Sequence, residues 1–213
     1  NIAMKSDLDR LMTARELVAI VVTGGEHHNT PRAYLCNGVD IHNGMVIKKR
    51  GADPVLIVGG MEIEEAAKSG VTVVNRDDIG WAEIYQQTEG DPTKTNTLFW
   101  GRLLEKFEIP PGKIGIYEAG DLNVWIERAR QLADAFPDNP IVGETGLTLF
   151  DEAFVTKDAA ELAIMRDVAD KTCQVLQAAW DYISGHRAEG DTVVKEDGTP
   201  LTIGDVKRFV RRE

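Results

Sequence analysis

Cysteine is nearly absent: Cys36 and Cys173 are the only two in 213 residues. Two thiols cannot build a disulfide framework or a cysteine-ligated metal cluster, so the expectation is two free thiols, one in a loop and one in a long helix, in a reducing compartment. Long apolar runs are missing as well. No stretch approaches the ~20 residues of a membrane-spanning helix, and Asn1-Ile2-Ala3-Met4-Lys5-Ser6 lacks the apolar core of a secretory signal. The reading is a cytoplasmic protein with no membrane partner. Basic charge is outnumbered, 24 Lys and Arg against 35 Asp and Glu, for a net charge of −11. No basic stripe is left to neutralise a phosphate backbone, which argues against a nucleic-acid partner. Internal repeats and low-complexity tracts are absent too.

What is present suits a folded chain. With 43% hydrophobic residues there is material for one sizeable core and a dependent segment. Asn1-Ile2-Ala3 ahead of Met4 reads as a tag remnant, with Met4 the natural start. Leu8, Leu11 and Met12 recur at helical spacing, and the apolar run from Val18 to Val22 reads as a buried strand. Met45 to Lys49 and Pro54 to Val58 flank the turn-forming Arg50-Gly51-Ala52-Asp53, which predicts an antiparallel hairpin and therefore a mixed sheet. A short helix from Glu62 to Lys68, a strand from Val71 to Val74 and helices over Trp81–Gln86 and Thr93–Phe107 follow. Pro110-Pro111-Gly112 stops the last of these. Then come a strand at Lys113–Tyr117, a helix over Leu122–Phe136 and a short strand at Ile141-Val142. The alternation predicts an α/β class with a mixed β-sheet flanked by helices.

From Asp158 to Ile183 apolar residues recur every three or four positions without a breaker, which predicts one long amphipathic helix. Asp158 and Glu161 have the spacing of a capping box at its start, and Gly185 ends it. Leu176, Trp180 and Ile183 form an apolar stripe that needs cover from the sheet or from another chain; exposed, it would favour dimerisation. Asp197-Gly198-Thr199-Pro200 is a turn signal, and Ile203–Val210 a short helix.

Two segments carry a family resemblance. Asp9 to Leu17 running into Ala19 to Gly24 resembles the helix and first strand of the amino-terminal domain of Xaa-Pro aminopeptidases, prolidases and creatinases, and Tyr34-Leu35 with Gly38 looks like a further segment of that domain. More specific is Val155-Thr156-Lys157-Asp158-Ala159-Ala160-Glu161-Leu162-Ala163-Ile164-Met165-Arg166 with Ala169, similar to that family's interdomain junction. The resemblance covers roughly residues 5 to 185. It departs from the pattern at Val18, where aspartate is common, and over Glu26 to Arg32.

This resemblance implies a creatinase/prolidase N-terminal fold with a ribonuclease H-like motif, followed by a long linking helix. The implied organisation is a tag remnant at 1–3, the α/β domain at 4–155, the interdomain helix at 156–185 and the truncated start of a catalytic domain at 186–213. The parent would be a metallopeptidase holding two divalent ions (Mn, Co or Zn), bound by two aspartates, a histidine and two glutamates of the missing catalytic domain. None of that ligand series can be placed here, and Gly190 to Glu213 contains no histidine. The chain by itself is expected to be inactive, to hold no cofactor, and to serve the parent by shaping peptide access and supporting a homodimer. Alternatives of other classes are a domain of a pseudo-peptidase binding protein lacking metal ligands, and a free-standing α/β ligand-binding domain.

For site residues the resemblance implies that the loop after the first strand faces a catalytic domain, making His27, His28, Asn29 and Tyr34 candidates for a substrate entrance. As metal ligands His27 and His28 form a poor chelate, because neighbours on an extended chain point apart. Glu62, Glu65, Asp77 and Asp78 read as a solvated face. Gly24-Gly25 and Gly59-Gly60 match neither the dinucleotide fingerprint nor the lysine-containing phosphate loop and read as sharp strand-to-helix turns. His186 lies where it can meet the carboxyl end of the long helix, and His42 precedes a strand; no serine or cysteine nucleophile matches either.

Overall fold

Six consecutive apolar residues form β1 (Leu17–Val22), and all six are buried, as a strand covered on both faces requires. The computed structural model describes residue 5 and residues 7–24, 29–117 and 120–212, and it divides into two units, Asn1–Thr156 and Lys157–Glu213. In the first unit α1 (Leu8–Ala14) precedes β1. Then follow α2 (Thr30–Leu35), β2 (Gly44–Lys49), β3 (Val55–Val58), a 3-10 turn (Gly60–Glu62), α3 (Ile63–Ala67), β4 (Thr72–Asn75) and a second 3-10 turn (Arg76–Ile79). The unit closes with α4 (Trp81–Gln87), α5 (Pro92–Lys106), β5 (Lys113–Tyr117), α6 (Leu122–Ala135), β6 (Ile141–Val142) and α7 (Leu149–Val155).

The six strands lie in the order β4-β3-β2-β1-β5-β6. β2 is antiparallel to both its neighbours, and the pairs β3–β4, β1–β5 and β5–β6 are parallel, so the sheet is mixed, with β2 alone reversed. The β2–β3 hairpin expected around Arg50 to Asp53 is present, pairing Met45 with Ile57 and Ile47 with Val55. One face of the sheet packs Leu8, Leu11, Leu35, Ala66 and Phe150, from α1, α2, α3 and α7. The other packs Ile84, Phe99, Leu103 and Leu132, from α4, α5 and α6.

Strand alternation fails once in β1: Val18 and Ala19 both belong to the second face, and the pairing with β5 shifts register between Leu17 and Ala19. Such a bulge puts two successive side chains on one side. Gly112, at φ 144°, makes room for it, because a Cβ there would stand 2.5 Å from Val18 Cγ1.

In the first unit two helices and the placement of one cysteine depart from the sequence reading. Residues 30–35 are helical, because Asn29 caps α2 by accepting from the Arg32 N–H at 2.9 Å and Pro31 sits in its first turn. Cys36, expected in a loop, is the buried C-cap of that helix. α7, for which the sequence shows no sustained period, is started by a capping box between Thr148 and Asp151.

In the second unit, α8 (Ala159–Ser184) opens on the capping box expected from Asp158 and Glu161, with reciprocal bonds of 2.9 and 2.8 Å. Gly185 is its C-cap in a right-handed conformation, so the helix ends there without the usual left-handed glycine. A hairpin of β7 (Arg187–Glu189) and β8 (Thr192–Val194), not foreseen from sequence, leads to α9 (Ile203–Val210). Tyr182 of α8 stacks on Phe209 of α9, ring centroids 4.3 Å apart and 7° from parallel. His186 Nδ1 lies 2.6 Å from the Tyr182 carbonyl, at the helix end where the sequence puts it.

Candidate functional site

Parallel strands aim their carboxyl ends the same way, and in open α/β sheets that edge is where ligands are held. Here the ends of β1 and β3 and the start of the reversed β2 meet at one edge and bound a cleft of about 250 Å³. From β1 come Thr23 and Gly24, from the start of β2 Asn43 and Gly44, and from the end of β3 Gly59. The helices on the second sheet face add the rest: Arg76, Trp81, Asn96 and Arg128.

The backbone on the β1–β2 side is held from behind by Arg32. This buried side chain donates from Nη1 to the carbonyls of Gly24 (2.8 Å) and Gly44 (3.2 Å), and from Nη2 to that of Ile41 (2.7 Å). Burial draws its pKa below the usual arginine value, opposed by its electrostatic interaction with the neighbouring Cys36 and with the carboxylates of Glu62 and Asp40, and the group stays cationic. Glu62, read from sequence as part of a solvated face, accepts from the N–H groups of His42 (2.7 Å) and Asn43 (3.3 Å) and so fixes the turn before β2. Gly44 has no room for a side chain, since a Cβ would lie 2.8 Å from Ile41 Cγ2.

Two arginines also line the cleft. Arg76 follows β4 directly, with its guanidinium 5.2 Å from the ring of Trp81, which itself stands edge-on to Phe99. Arg128, on α6, lies 5.1 Å from the ring of Trp125. Among the described residues neither guanidinium has a carboxylate partner, and no acidic side chain lines the cleft. Thr23 is 7% exposed, and among the described residues its Oγ1 has no hydrogen-bond partner. Chemically the described part of the cleft offers hydrogen-bond donors and positive charge, and no nucleophile–base pair.

Of the residues that the sequence singles out, His27 and His28 lie outside the described residues. Asn29 is buried, accepting from Arg32 N–H and donating from Nδ2 to the Thr23 carbonyl, so it braces the strand end. Tyr34 is half-buried on the first sheet face, edge-on to Phe154 at 5.0 Å, with the Lys5 ammonium 4.1 Å from its ring. Neither lines the cleft. Thr23, Arg76 and Arg128 were not singled out from sequence; their signal is position, at strand ends and on the helix after β5. Among the described residues no three His, Cys, Asp or Glu side chains group as metal ligands would. No described helix is long and apolar enough to cross a membrane.

A second polar cluster ties the first unit together. Glu144, after β6, accepts from Arg15 at the end of α1, from the Tyr117 hydroxyl and from the Leu149 N–H at 2.8 Å; Arg15 also pairs with Glu152 at 2.7 Å. Burial pushes the Glu144 carboxyl upward, but the bonds from Leu149, Tyr117 and Arg15 outweigh it and leave the pKa below its ordinary value. Burial and the Glu144 charge both raise the Tyr117 pKa, so its phenol stays protonated and acts as a donor.

No family model matches the sequence, and no curated protein matches it. Among solved structures, the chain is similar to the dipeptidase PepE from Mycobacterium ulcerans, with 14% identity and a TM-score of 0.52, over 98% of this chain and 47% of that one. It is similar also to the X-Pro aminopeptidase from Thermotoga maritima MSB8, with 13% identity and a TM-score of 0.51, over 98% of this chain and 49% of that one. At such identities the likeness is one of fold, and the fold is the mixed α/β architecture that the sequence resemblance implies. The chain spans about half the length of each of these structures.

Proposed function

We propose that this chain is the non-catalytic amino-terminal domain of a metal-dependent Xaa-Pro aminopeptidase or dipeptidase. The observation that carries the reading is the shared fold over 98% of the chain with about half of two peptidases. The junction-like segment from Val155 to Arg166 supports it, since it includes the capping box that starts α8. In this reading the domain is 4–155, the interdomain helix 156–185, and 186–213 the start of a catalytic domain. Two divalent ions held by that further domain would supply the activated water.

What this chain contributes is positioning. Asn29 and Arg32 hold the backbone on either side of the segment that carries His27 and His28, and those histidines are the candidate contacts for an incoming peptide. Asn29 and Tyr34 remain candidates for the same substrate entrance. Leu176 and Trp180, exposed on α8, are the candidate dimer contacts of a cytoplasmic parent. A second reading, a free-standing ligand-binding domain, is favoured by the cleft at the strand ends.

The test is to express the parent gene beside this chain and to assay both for release of the residue before proline from an Xaa-Pro peptide, with and without manganese or cobalt. Metal-dependent activity in the longer protein alone is the expected result. Activity in the 213-residue chain, or a parent gene that ends at Glu213, overturns the reading.

A further inference from the structure

Among the described residues the cleft at the strand ends has a charge pattern unlike the rest of this acidic chain: two guanidinium groups, no carboxylate, and a buried hydroxyl with no partner. The unsatisfied buried hydroxyl loses its hydration for nothing. The two guanidinium groups carry like charges that repel across the cleft, and both keep contact with solvent, Arg76 exposed and Arg128 half-buried. Among the described residues neither has the protein acceptors that engage the buried Arg32, which is bonded to three main-chain carbonyls. Arg76 and Arg128 each lie within cation–π distance of a tryptophan ring, 5.2 and 5.1 Å from the centroid, a contact that does not use up their N–H donors.

We propose that this cleft binds a small carboxylate with an apolar body. The carboxylate accepts from Arg76, Arg128 and the Thr23 hydroxyl, which resolves the repulsion and the orphan donor together. Planar guanidinium forks match a carboxylate in two parallel hydrogen bonds. The body is apolar because Met45, Ile57 and Phe99 form the opposing wall. Among the described residues no acidic side chain lines the cleft to receive an ammonium group. The volume of about 250 Å³ lies below the ~300–1,000 Å³ of sites for drug-sized ligands, so the ligand is small. The inference rests on the cleft alone and holds whether or not the chain belongs to a peptidase.

The 213-residue chain is titrated calorimetrically with phenylacetate, with neutral phenylacetamide and with inorganic phosphate. Saturable binding of phenylacetate with a Kd of about 1 mM or below is expected, with no binding of phenylacetamide and weaker binding of phosphate. Arg76→Gln and Arg128→Gln should each weaken phenylacetate about tenfold, the worth of one charge-assisted contact. Thr23→Val should weaken it too while leaving the melting temperature of the free protein unchanged or raised, because an unsatisfied group has been removed. The proposal is overturned by a phenylacetate titration that does not saturate by about 10 mM, by equal affinity in the Arg76→Gln/Arg128→Gln double variant, or by phosphate binding more tightly than phenylacetate. Should a variant not fold, the contrast between phenylacetate and phenylacetamide on the unaltered chain decides.

Discussion

Replacing Glu144 with alanine tests how the first unit is held together. The carboxylate gathers Arg15 from α1, Tyr117 from β5 and the first N–H of α7, and its side chain is 16% exposed. Without it Arg15 retains Glu152, but the Tyr117 hydroxyl and the Leu149 N–H lose the acceptor they share. Each orphaned donor costs about 1–3 kcal/mol, and breaking a buried ion pair from one side costs about 3–5 kcal/mol. Because the cluster is partly exposed, water relieves some of this, and the low end, about 3 kcal/mol, is the expected loss. For a chain of this size that is a fall in melting temperature of roughly 6–12 °C. The assay is equilibrium urea unfolding followed by tryptophan fluorescence in a Trp180→Phe background, so that only the first unit, with Trp81, Trp100 and Trp125, is read. A loss below about 1 kcal/mol, with an unchanged urea slope, would refute the clamp and assign these bonds to the solvated surface.

The same cluster sets an acid limit. Glu144 and Asp9 have folded-state pKa values below the ordinary 4.5 and 3.8, so in that region the unfolded chain binds more protons and stability rises with pH. Their contribution is intact above about pH 4.5 and is lost as pH falls through the folded values; Glu144→Gln should flatten the dependence of the urea midpoint on pH between about 3 and 5, and an identical slope would count against the assignment. Asn29→Ala removes the α2 cap and the brace on Thr23, for a loss of about 1–2 kcal/mol by denaturant titration; no loss would mean that the helix start does not depend on it. Gly112→Ala drives a methyl into Val18 at the β1 bulge and should cost about 3 kcal/mol; a neutral result would show that the bulge relaxes freely. Burial pushes the Cys36 thiol up to about 11, while Cys173 is exposed, so iodoacetamide should modify one thiol promptly and the other only on unfolding, and two equal rates would contradict the placement of Cys36.

The elements legible in the sequence are those with local signals. The β2–β3 hairpin is bounded by apolar runs on either side of Arg50 to Asp53, and α8 shows both its period and its capping pair. α2 and α7 are one to two turns long, too short for a period, and depend on side-chain caps and on contacts with the sheet. The cleft was not legible for a different reason. Thr23, Arg76 and Arg128 come from three distant stretches, and nothing in the letter of an arginine tells that the fold brings it to the edge of a cleft. Tyr34 packs edge-on to Phe154 and Asn29 caps α2, contacts that sequence position alone does not reveal.

The strand order also governs how the chain assembles as it is made. β1 finds one neighbour, β2, within about 30 residues, whereas its other neighbour, β5, lies about 95 residues onward. A ribosome adding about 5–20 residues per second takes roughly 2–8 s to move from the end of β4 to β5. For that interval four strands can already be joined while the far edge of β1 lies bare, an apolar strand with open main-chain donors and acceptors. Neighbouring nascent copies on one message meet at that edge first, so the yield of soluble protein will turn on how quickly residues 76–117 emerge and fold against it.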